Sequence, residues 1–375
     1  MNTKYCGGFI MKILVDIGHP AHVHVFKNFI WNMEGKGNEI LITARDKDVA
    51  LQLLNAYGFE YKNVGKYGKS LFLKMMDLPK IDYNMYKIAR KFKPDILTGF
   101  GSVNAAHVSA LLRKPCILFT DTEHCPEQQI LYRPFISAIC TPSCFKKDLG
   151  KKQLRFNGYK ELAYLHPNYF KPNPEVLDEL NLSKDDKFII MRFISWEATH
   201  DVGLKGIEKG TELEIIKTLE QYGKVFITSE RKLDKNLEKY KIPVSPDKLL
   251  SLLYFASLYI GEGGTTAVEA AILGTPSIHI EYGDPNKPSA ASIFSGNFLE
   301  LRDKYDLVYM FPDQNEALKK AIEILENENS KKEWQKKREK LLNDKIDVTK
   351  FMVEFIENYP ESFYEYQKTK KDGCK

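Results

Sequence analysis

The chain has 375 residues, too many for one ordinary hydrophobic core, so two domains are expected. Its composition, 43% hydrophobic and 28% charged, is that of a globular protein and argues against disorder away from the ends. A formal charge of +5 is small for this length; it lacks the basic excess of a nucleic-acid binder but suits anionic ligands such as phosphates.

No apolar run approaches the roughly 18 residues that a membrane span needs. The longest, residues 249–260, is shorter and contains Ser251 and Ser257. The first residues, MNTKYCGGFI, lack a basic stretch followed by an apolar one, so they are not read as a signal peptide, and Met11 is an alternative start. Six Cys without a framework spacing fit free thiols in a reducing compartment, hence a cytoplasmic location.

In chain order, Lys12–Ile17 (KILVDI) reads as a first strand, followed by the loop Gly18-His19-Pro20. Pro20 suits the first turn of a helix. His22, Phe26, Phe29, Ile30 and Met33 then share one helical face, which makes His22 partly a core residue. Strand-like runs follow at 40–43 (ILIT), 96–98 (ILT) and Cys116–Phe119 (CILF), with helical patterns between them. A second series starts at Phe188–Phe193 (FIIMRF) and continues at 225–228, 258–260 and Ser277–Ile280. Strands alternating with helices imply parallel sheets, and two such series imply an α/β protein of two Rossmann-like domains facing a cleft. The boundary is expected within 157–174, where Gly158, Pro167, Pro172 and Pro174 cluster, giving domains of 11–160 and 161–345. Residues 315–359 are helical in pattern, and 346–375 are expected as a helix and tail packing back toward the first domain. The basic run 331–340 (KKEWQKKREK) is a solvated helix face or, on a sharper reading, a peripheral contact with an anionic membrane surface.

In such folds ligands bind at loops leaving the carboxyl ends of strands. Residues 261–276 read GEGGTTAVEAAILGTP. Gly263 and Gly264 make a tight turn whose backbone a ligand can approach closely. Thr265 or Thr266 is placed to cap the following helix, and the first-turn amides favour an anion above the loop. Glu269 follows one turn later, within reach of sugar hydroxyls. Gly274 and Pro276 are helix-stop signals.

This loop closely resembles the nucleotide-sugar loop of GT-B glycosyltransferases and of UDP-N-acetylglucosamine 2-epimerase. The resemblance implies that Gly263, Gly264, Thr265 and Thr266 face a diphosphate and that Glu269 binds ribose hydroxyls. KPDILTGFGS at 93–102, with 115–121, resembles a strand–loop–helix–strand unit of the peptidoglycan N-acetylglucosaminyltransferase, in which a His also follows Gly as in Gly18-His19. Residues 247–261 resemble the helix and strand before the sugar-nucleotide loop in both families. Together with DIGHPAHVHVFKN, RFISWEATHDVG and ITSER, the glycine loop resembles the prokaryotic family called domain of unknown function 354, grouped with the GT-B fold, over about residues 11–359.

The resemblance implies a metal-independent glycosyltransferase with no cofactor. A nucleoside-diphosphate sugar is its donor substrate, and a carbohydrate or lipid-linked precursor of a cell-surface glycan is its acceptor. His19, titrating near neutrality, is the candidate general base, with Asp121 or Glu123 as a second base or an orienter. The rival role for His19 is helix capping. Arg192, Ser195, Trp196 and His200 occupy the loop that faces diphosphate in GT-B enzymes. Arg192 or His200 is expected to offset leaving-group charge, and Trp196 to stack on base or sugar. Ser229, Glu230 and Arg231 end the next strand, and Asp284 and Lys287 line the same rim. Retaining members often place two Glu one position farther apart than Glu262 and Glu269, so inversion is favoured.

A metal site is not expected. His22 and His24, two apart on a helix, diverge, and Cys140 reads as a buried strand Cys with Cys144 a bystander. Asp46-Lys47-Asp48 matches the DxD pattern of metal-dependent glycosyltransferases of another fold but reads here as a helix cap. The first alternative function is a sugar-nucleotide epimerase, whose expected Arg, Asp and His are replaced by Pro20 or Ala21, Phe100 or Gly101, and Phe193 or Ile194. The second is a non-enzymatic nucleotide-sugar-binding protein.

Overall fold

The computed structural model describes residues 10–47, 49–68, 70–123, 125–195, 206–282 and 295–372. Seven parallel strands form the first sheet: β1 (Lys12–Ile17), β2 (Glu39–Arg45), β3 (Tyr61–Gly65), β4 (Ile96–Phe100), β5 (Cys116–Phe119), β6 (Ala138–Pro142) and β7 (Gln153–Phe156). Their order is β3-β2-β1-β4-β5-β6-β7. Five more form a second parallel sheet: β8 (Phe188–Phe193), β9 (Lys224–Ser229), β10 (Leu258–Gly261), β11 (Ser277–Ile280) and β12 (Val308–Phe311), in the order β12-β11-β10-β8-β9. The order reverses between β1 and β4 in one sheet and between β8 and β10 in the other. Loops diverge to opposite faces at such switch points and leave a crevice between them.

β1 illustrates how the sequence builds the layers. Ile13, Val15 and Ile17 enter one core cluster and Leu14 the other, all fully buried. Burial on both faces is what a central parallel strand requires, and it explains the unbroken apolar run. Leu14 lies in register between Leu41 and Leu97. β3, β7 and β12 were not expected from the sequence, whereas β6 carries the buried strand Cys expected at Cys140. β3 (YKNVG), β7 (QLRF) and β12 (VYMF) are short edge strands, and β6 ends in Thr-Pro. Their pairing depends on a neighbour more than on their own pattern.

Helix Pro20–Gly35 packs against the short helix Leu162–Leu165 and against helix Val348–Glu357 near the carboxyl terminus. The terminal helices Val348–Glu357 and Glu361–Asp372 thus lie on the first domain. There Phe351 stacks on Phe156 at 5.2 Å, and the Arg155 N–H donates to the Tyr366 hydroxyl at 3.0 Å, covering edge strand β7. Met352 and Ile356 are fully buried in this return crossing. Each such side chain contributes about 1.5–3 kcal/mol, a large share of a marginal stability.

The stretch between β7 and β8 carries the chain from one domain to the other. All four residues of helix Leu162–Leu165 are buried, so this linker is part of the core and not an exposed tether. The basic run 331–340 falls in helix Ser330–Asp344, where its inner side is used for packing. Lys331 donates to the Ala256 carbonyl (2.9 Å) and Thr275 Oγ1 (2.6 Å), Gln335 to the Leu273 carbonyl (2.9 Å), and Arg338 to the Ile272 carbonyl (3.0 Å). Arg338, at the Ile272 carbonyl, offsets the negative end of helix Gly264–Ile272. Packing therefore accounts for the inner side of the run, and its contact with a membrane has no support in this arrangement. No described helix is long and apolar enough to cross a membrane.

Candidate active site

At the switch point of the second sheet, β10 ends at Gly261 and the glycine turn follows. A Cβ on Gly261 would lie 2.5 Å from the Arg192 carbonyl oxygen, and one on Gly263 would lie 2.5 Å from Arg192 Cδ. The missing side chain at Gly263 lets Arg192 lie across the turn. Arg192 donates to Thr228 Oγ1 (3.2 Å) and to the Glu230 carboxylate (2.6 Å). From beneath, the buried Tyr259 hydroxyl donates to the Gly263 carbonyl at 3.0 Å. Helix Gly264–Ile272 has Gly263 itself as N-cap, and no side chain among the described residues caps it. The expected cap from Thr265 or Thr266 is thus corrected: the turn brings Gly263 to that position, and Thr266 is buried behind it. Uncapped first-turn amides remain as donors for an anion.

Glu262 has a structural use. Its two carboxylate oxygens accept from the Ile194 and Ile207 N–H groups, each at 2.8 Å, and so tie together both ends of the loop after β8. Ser195 is half-buried at the start of that loop. Trp196 and His200 lie outside the described residues, as do Asp48, Asp284 and Lys287. Ser229 Oγ donates to the Arg231 carbonyl at 2.7 Å. Arg231 pairs with the buried Glu212 at 2.9 Å and covers the Phe193 ring, so both residues are held within their own domain.

Glu269 is 5% exposed, and its Oε1 accepts from the Tyr164 hydroxyl at 2.7 Å. Burial raises its pKa to about 7 and the nearby Glu161 adds to the rise, while Tyr164, Arg192 and Lys160 pull it down. The two domains and the linker therefore share one electrostatic environment around this carboxyl.

At the switch point of the first sheet, His19 is the N-cap of helix Pro20–Gly35: its Nδ1 accepts from the Ala21 N–H at 3.2 Å. His22 Nδ1 accepts from the Gly18 N–H at 3.4 Å. A neutral imidazole that accepts at Nδ1 carries its proton on Nε2. The capping bond thus leaves His19 Nε2 a donor, and the general-base role would require the cap to be released. Burial holds the His22 pKa well below the usual value, and the neighbouring His19, Arg45, Lys160 and Lys47 deepen the shift. His24 is buried on another side, where its ring meets Tyr57 and Tyr164, and burial lowers its pKa to about 3.

Several residues at this end were not expected from the sequence. Asp16, fully buried, accepts from Thr43 Oγ1 (2.9 Å) and Ser102 Oγ (2.6 Å) and pairs with Arg45 (3.1 Å). A Cβ on Gly18 would lie 1.8 Å from Arg45 Nη2, so the glycine makes room for the guanidinium beside the loop. The available signal was a charged residue within or ending an apolar strand, as in KILVDI and EILITAR. Lys160, in the linker, binds Asp121 at 2.5 Å and lies 3.3 Å from Glu161. Burial opposes the charge on Lys160, but Asp121 and Glu161 overcome it and raise its pKa. Glu161 is 1% exposed with neither carboxylate oxygen hydrogen-bonded among the described residues, and burial raises its pKa.

Glu123, the other second-base candidate, is engaged elsewhere. Its Oε1 accepts from the Gly296 N–H at 2.8 Å, at the start of helix Gly296–Asp303 in the second domain. A carboxylate at a helix N-terminus is favourable, so Glu123 latches the domains. Of the cap expected from Asp46-Lys47-Asp48, Asp48 lies outside the described residues. Helix Ala50–Ala56 has Val49 as N-cap with no side-chain bond, and Asp46 faces Lys66 at 3.8 Å. Among the described residues no group of three His, Cys, Asp or Glu could hold a metal ion, and Cys140 is buried in the core.

Two parallel-sheet domains joined through a buried linker, with a glycine turn at the second switch point, define a protein of the GT-B fold. The chain belongs to the DUF354 family, described as proteins of unknown function, which matches residues 11–361. An uncharacterised protein of Methanocaldococcus jannaschii is 28% identical over 277 residues, covering 72% of this chain and 81% of that one. The UDP-GlcNAc 2-epimerase of Neisseria meningitidis, solved bound to UDP-GlcNAc, is similar in structure with a TM-score of 0.58 at 13% identity, covering 92% of this chain and 99% of that one. A Streptomyces glycosyltransferase has a TM-score of 0.57 at 11% identity, covering 91% and 99% of the two chains. At these identities the likeness to the solved structures is one of fold.

Proposed function

We propose that the protein is a metal-independent, inverting glycosyltransferase whose second domain holds a nucleoside-diphosphate sugar. The observation that carries this reading is the Gly263–Gly264 turn: it lies at a switch point, opens a helix without a side-chain cap and is crossed by Arg192. A diphosphate above the turn meets first-turn amides and a guanidinium, so the leaving group's charge is offset without a metal ion. Glu269 already gives Oε1 to Tyr164 and offers its other oxygen to a ribose hydroxyl.

The first domain presents the acceptor. Its hydroxyl oxygen attacks the anomeric carbon, the bond from that carbon to the diphosphate oxygen breaks, and the hydroxyl proton must be taken up. His19 in its capping form orients the acceptor as a donor. Asp121, paired with Lys160 at 2.5 Å, serves in this reading as the carboxylate that takes the proton. Closure of the domains over the sugar would exclude water from the transfer.

A mass-spectrometric screen of nucleoside-diphosphate sugars against candidate glycan acceptors tests the reading. The expected result is release of nucleoside diphosphate with a new glycoside, unaffected by EDTA. An epimerised nucleotide sugar without glycoside would make the protein an isomerase. Binding without turnover would make it a nucleotide-sugar-binding protein.

A further inference from the structure

Helix Leu71–Phe92 starts beyond the carboxyl end of edge strand β3 and reaches the core only in its later turns. Ile81, Met85 and Ala89, at four-residue spacing, enter the second core cluster. No described side chain between 72 and 80 is buried. In those first turns Phe72 is 71%, Leu73 48%, Met75 67% and Met76 62% exposed, and Tyr83 follows at 60%. Four large apolar side chains bared within five residues differ from the single exposed apolar residues of ordinary surfaces.

The charge around them is one-sided. Residues 66–87 hold five Lys against two Asp, a net +3. Lys66, Lys80 and Lys87 are exposed, the last with its ammonium 5.0 Å from the Tyr83 ring. The two acids are occupied elsewhere. Asp77 accepts from the Gly68 N–H at 2.8 Å, and Asp82 holds His107 at 2.8 Å and Asn104 at 2.7 Å.

We infer that this projecting helix end is a docking surface for a bilayer containing anionic lipids. Phe72, Leu73, Met75 and Met76 enter the headgroup boundary, and the surrounding lysines meet lipid phosphates. A symmetric contact with a second copy would bring two positive faces together, which repel. The loop leading into the helix touches the first-domain site: the Tyr67 hydroxyl donates to Asn104 Oδ1 at 2.9 Å, and the Arg45 guanidinium lies 5.6 Å from the Tyr67 ring. Docking here brings the mouth of that site to the membrane surface. The inference does not depend on the donor-site reading.

The test is sedimentation of the full-length protein with vesicles of phosphatidylcholine alone and of phosphatidylcholine mixed with phosphatidylglycerol. Binding is expected to the mixed vesicles only, weakening as salt is raised. The variant Phe72→Ser/Met75→Ser/Met76→Ser should partition roughly tenfold less or weaker still at an unchanged melting temperature. Lys80→Glu/Lys87→Glu should lose the preference for the anionic vesicles. Should the serine variant melt early, Phe72→Trp serves in its place, and its emission should shift to the blue with mixed vesicles. No sedimentation with either vesicle, undiminished binding by the serine variant, or an unshifted emission spectrum from a folded Phe72→Trp protein each overturns the inference. So does a dimer that forms without vesicles and is lost in the serine variant, which would assign the face to a second copy.

Discussion

Tyr164 and Glu269 share a buried hydrogen bond of 2.7 Å that joins the interdomain linker to the helix of the glycine turn. Because burial lifts the Glu269 pKa to about 7, this carboxyl exchanges its proton near neutrality. A ribose hydroxyl donates to the carboxylate form, so nucleotide binding should release a proton and tighten as pH rises through about 7. Calorimetry in two buffers of different ionisation enthalpy reads the proton directly. Tyr164→Phe removes a donor that favours the carboxylate, so the midpoint of the binding profile should move to higher pH. Glu269→Ala should weaken nucleotide-sugar binding roughly tenfold; an unchanged affinity in a folded variant removes the ribose assignment.

The same carboxyl makes stability depend on pH. The ordinary Glu value of 4.5 rises to about 7 on folding, so the folded state keeps a proton that the unfolded chain has lost. Stability therefore falls as pH rises from about 4.5 to about 7, by at most about 3 kcal/mol, and the deficit persists above that window. Glu269→Gln should flatten this part of the profile and melt above the parent protein at pH ~8. Parallel melting profiles would place the titration on another group.

Gly263→Ala puts a methyl group 2.5 Å from Arg192 Cδ and 2.6 Å from its Nε, so the guanidinium must move. The expected cost is about 1–3 kcal/mol in stability and a roughly tenfold loss of nucleotide affinity. Arg192→Met should lose affinity to a similar degree. If both act through the displaced guanidinium, the double variant binds no worse than the weaker single one. Additive losses would mean that the turn and Arg192 act separately.

Glu262→Ala leaves the Ile194 and Ile207 N–H groups without their acceptor. Each lost bond costs about 1–3 kcal/mol when the donor stays buried. The melting temperature should drop accordingly. Glu262→Gln, which retains one acceptor oxygen, should keep most of the turnover. A glutamine variant that folds normally but is inactive would instead give Glu262 a chemical role.

His19→Asn separates capping from proton transfer, because Asn is a good N-cap that cannot act as a base near neutrality. His19→Ala should cost about 1 kcal/mol and slow turnover, and His19→Asn should restore stability and most of the rate. Asp121→Asn should cut turnover by ~10²–10⁴-fold with nucleotide affinity preserved. If His19→Asn is as slow as His19→Ala while fully stable, His19 is the base after all.

The local features were legible in the sequence. The buried run of β1, the glycine turn and the strand–helix alternation follow from backbone and apolar patterning, which neighbouring residues largely decide. They were enough to place His19, Arg192 and Gly263 at strand ends and Glu269 in the helix that follows the glycine turn. β3, β7 and β12 were not legible because each is a short edge strand, held by pairing more than by pattern.

Tertiary packing decided how those side chains are engaged. Tyr164 and Glu269 are 105 residues apart, and no local pattern marks the linker as a partner of the helix that follows the glycine turn. Glu123 resembled a base until Gly296 of the other domain was seen to occupy it. The run LFLKMMDLP has the look of a helix with a buried side, yet Phe72, Met75 and Met76 stand in solvent because the core begins at Ile81. Apolar periodicity states which face a segment can bury; only the arrangement of the other elements determines whether there is anything to bury it against.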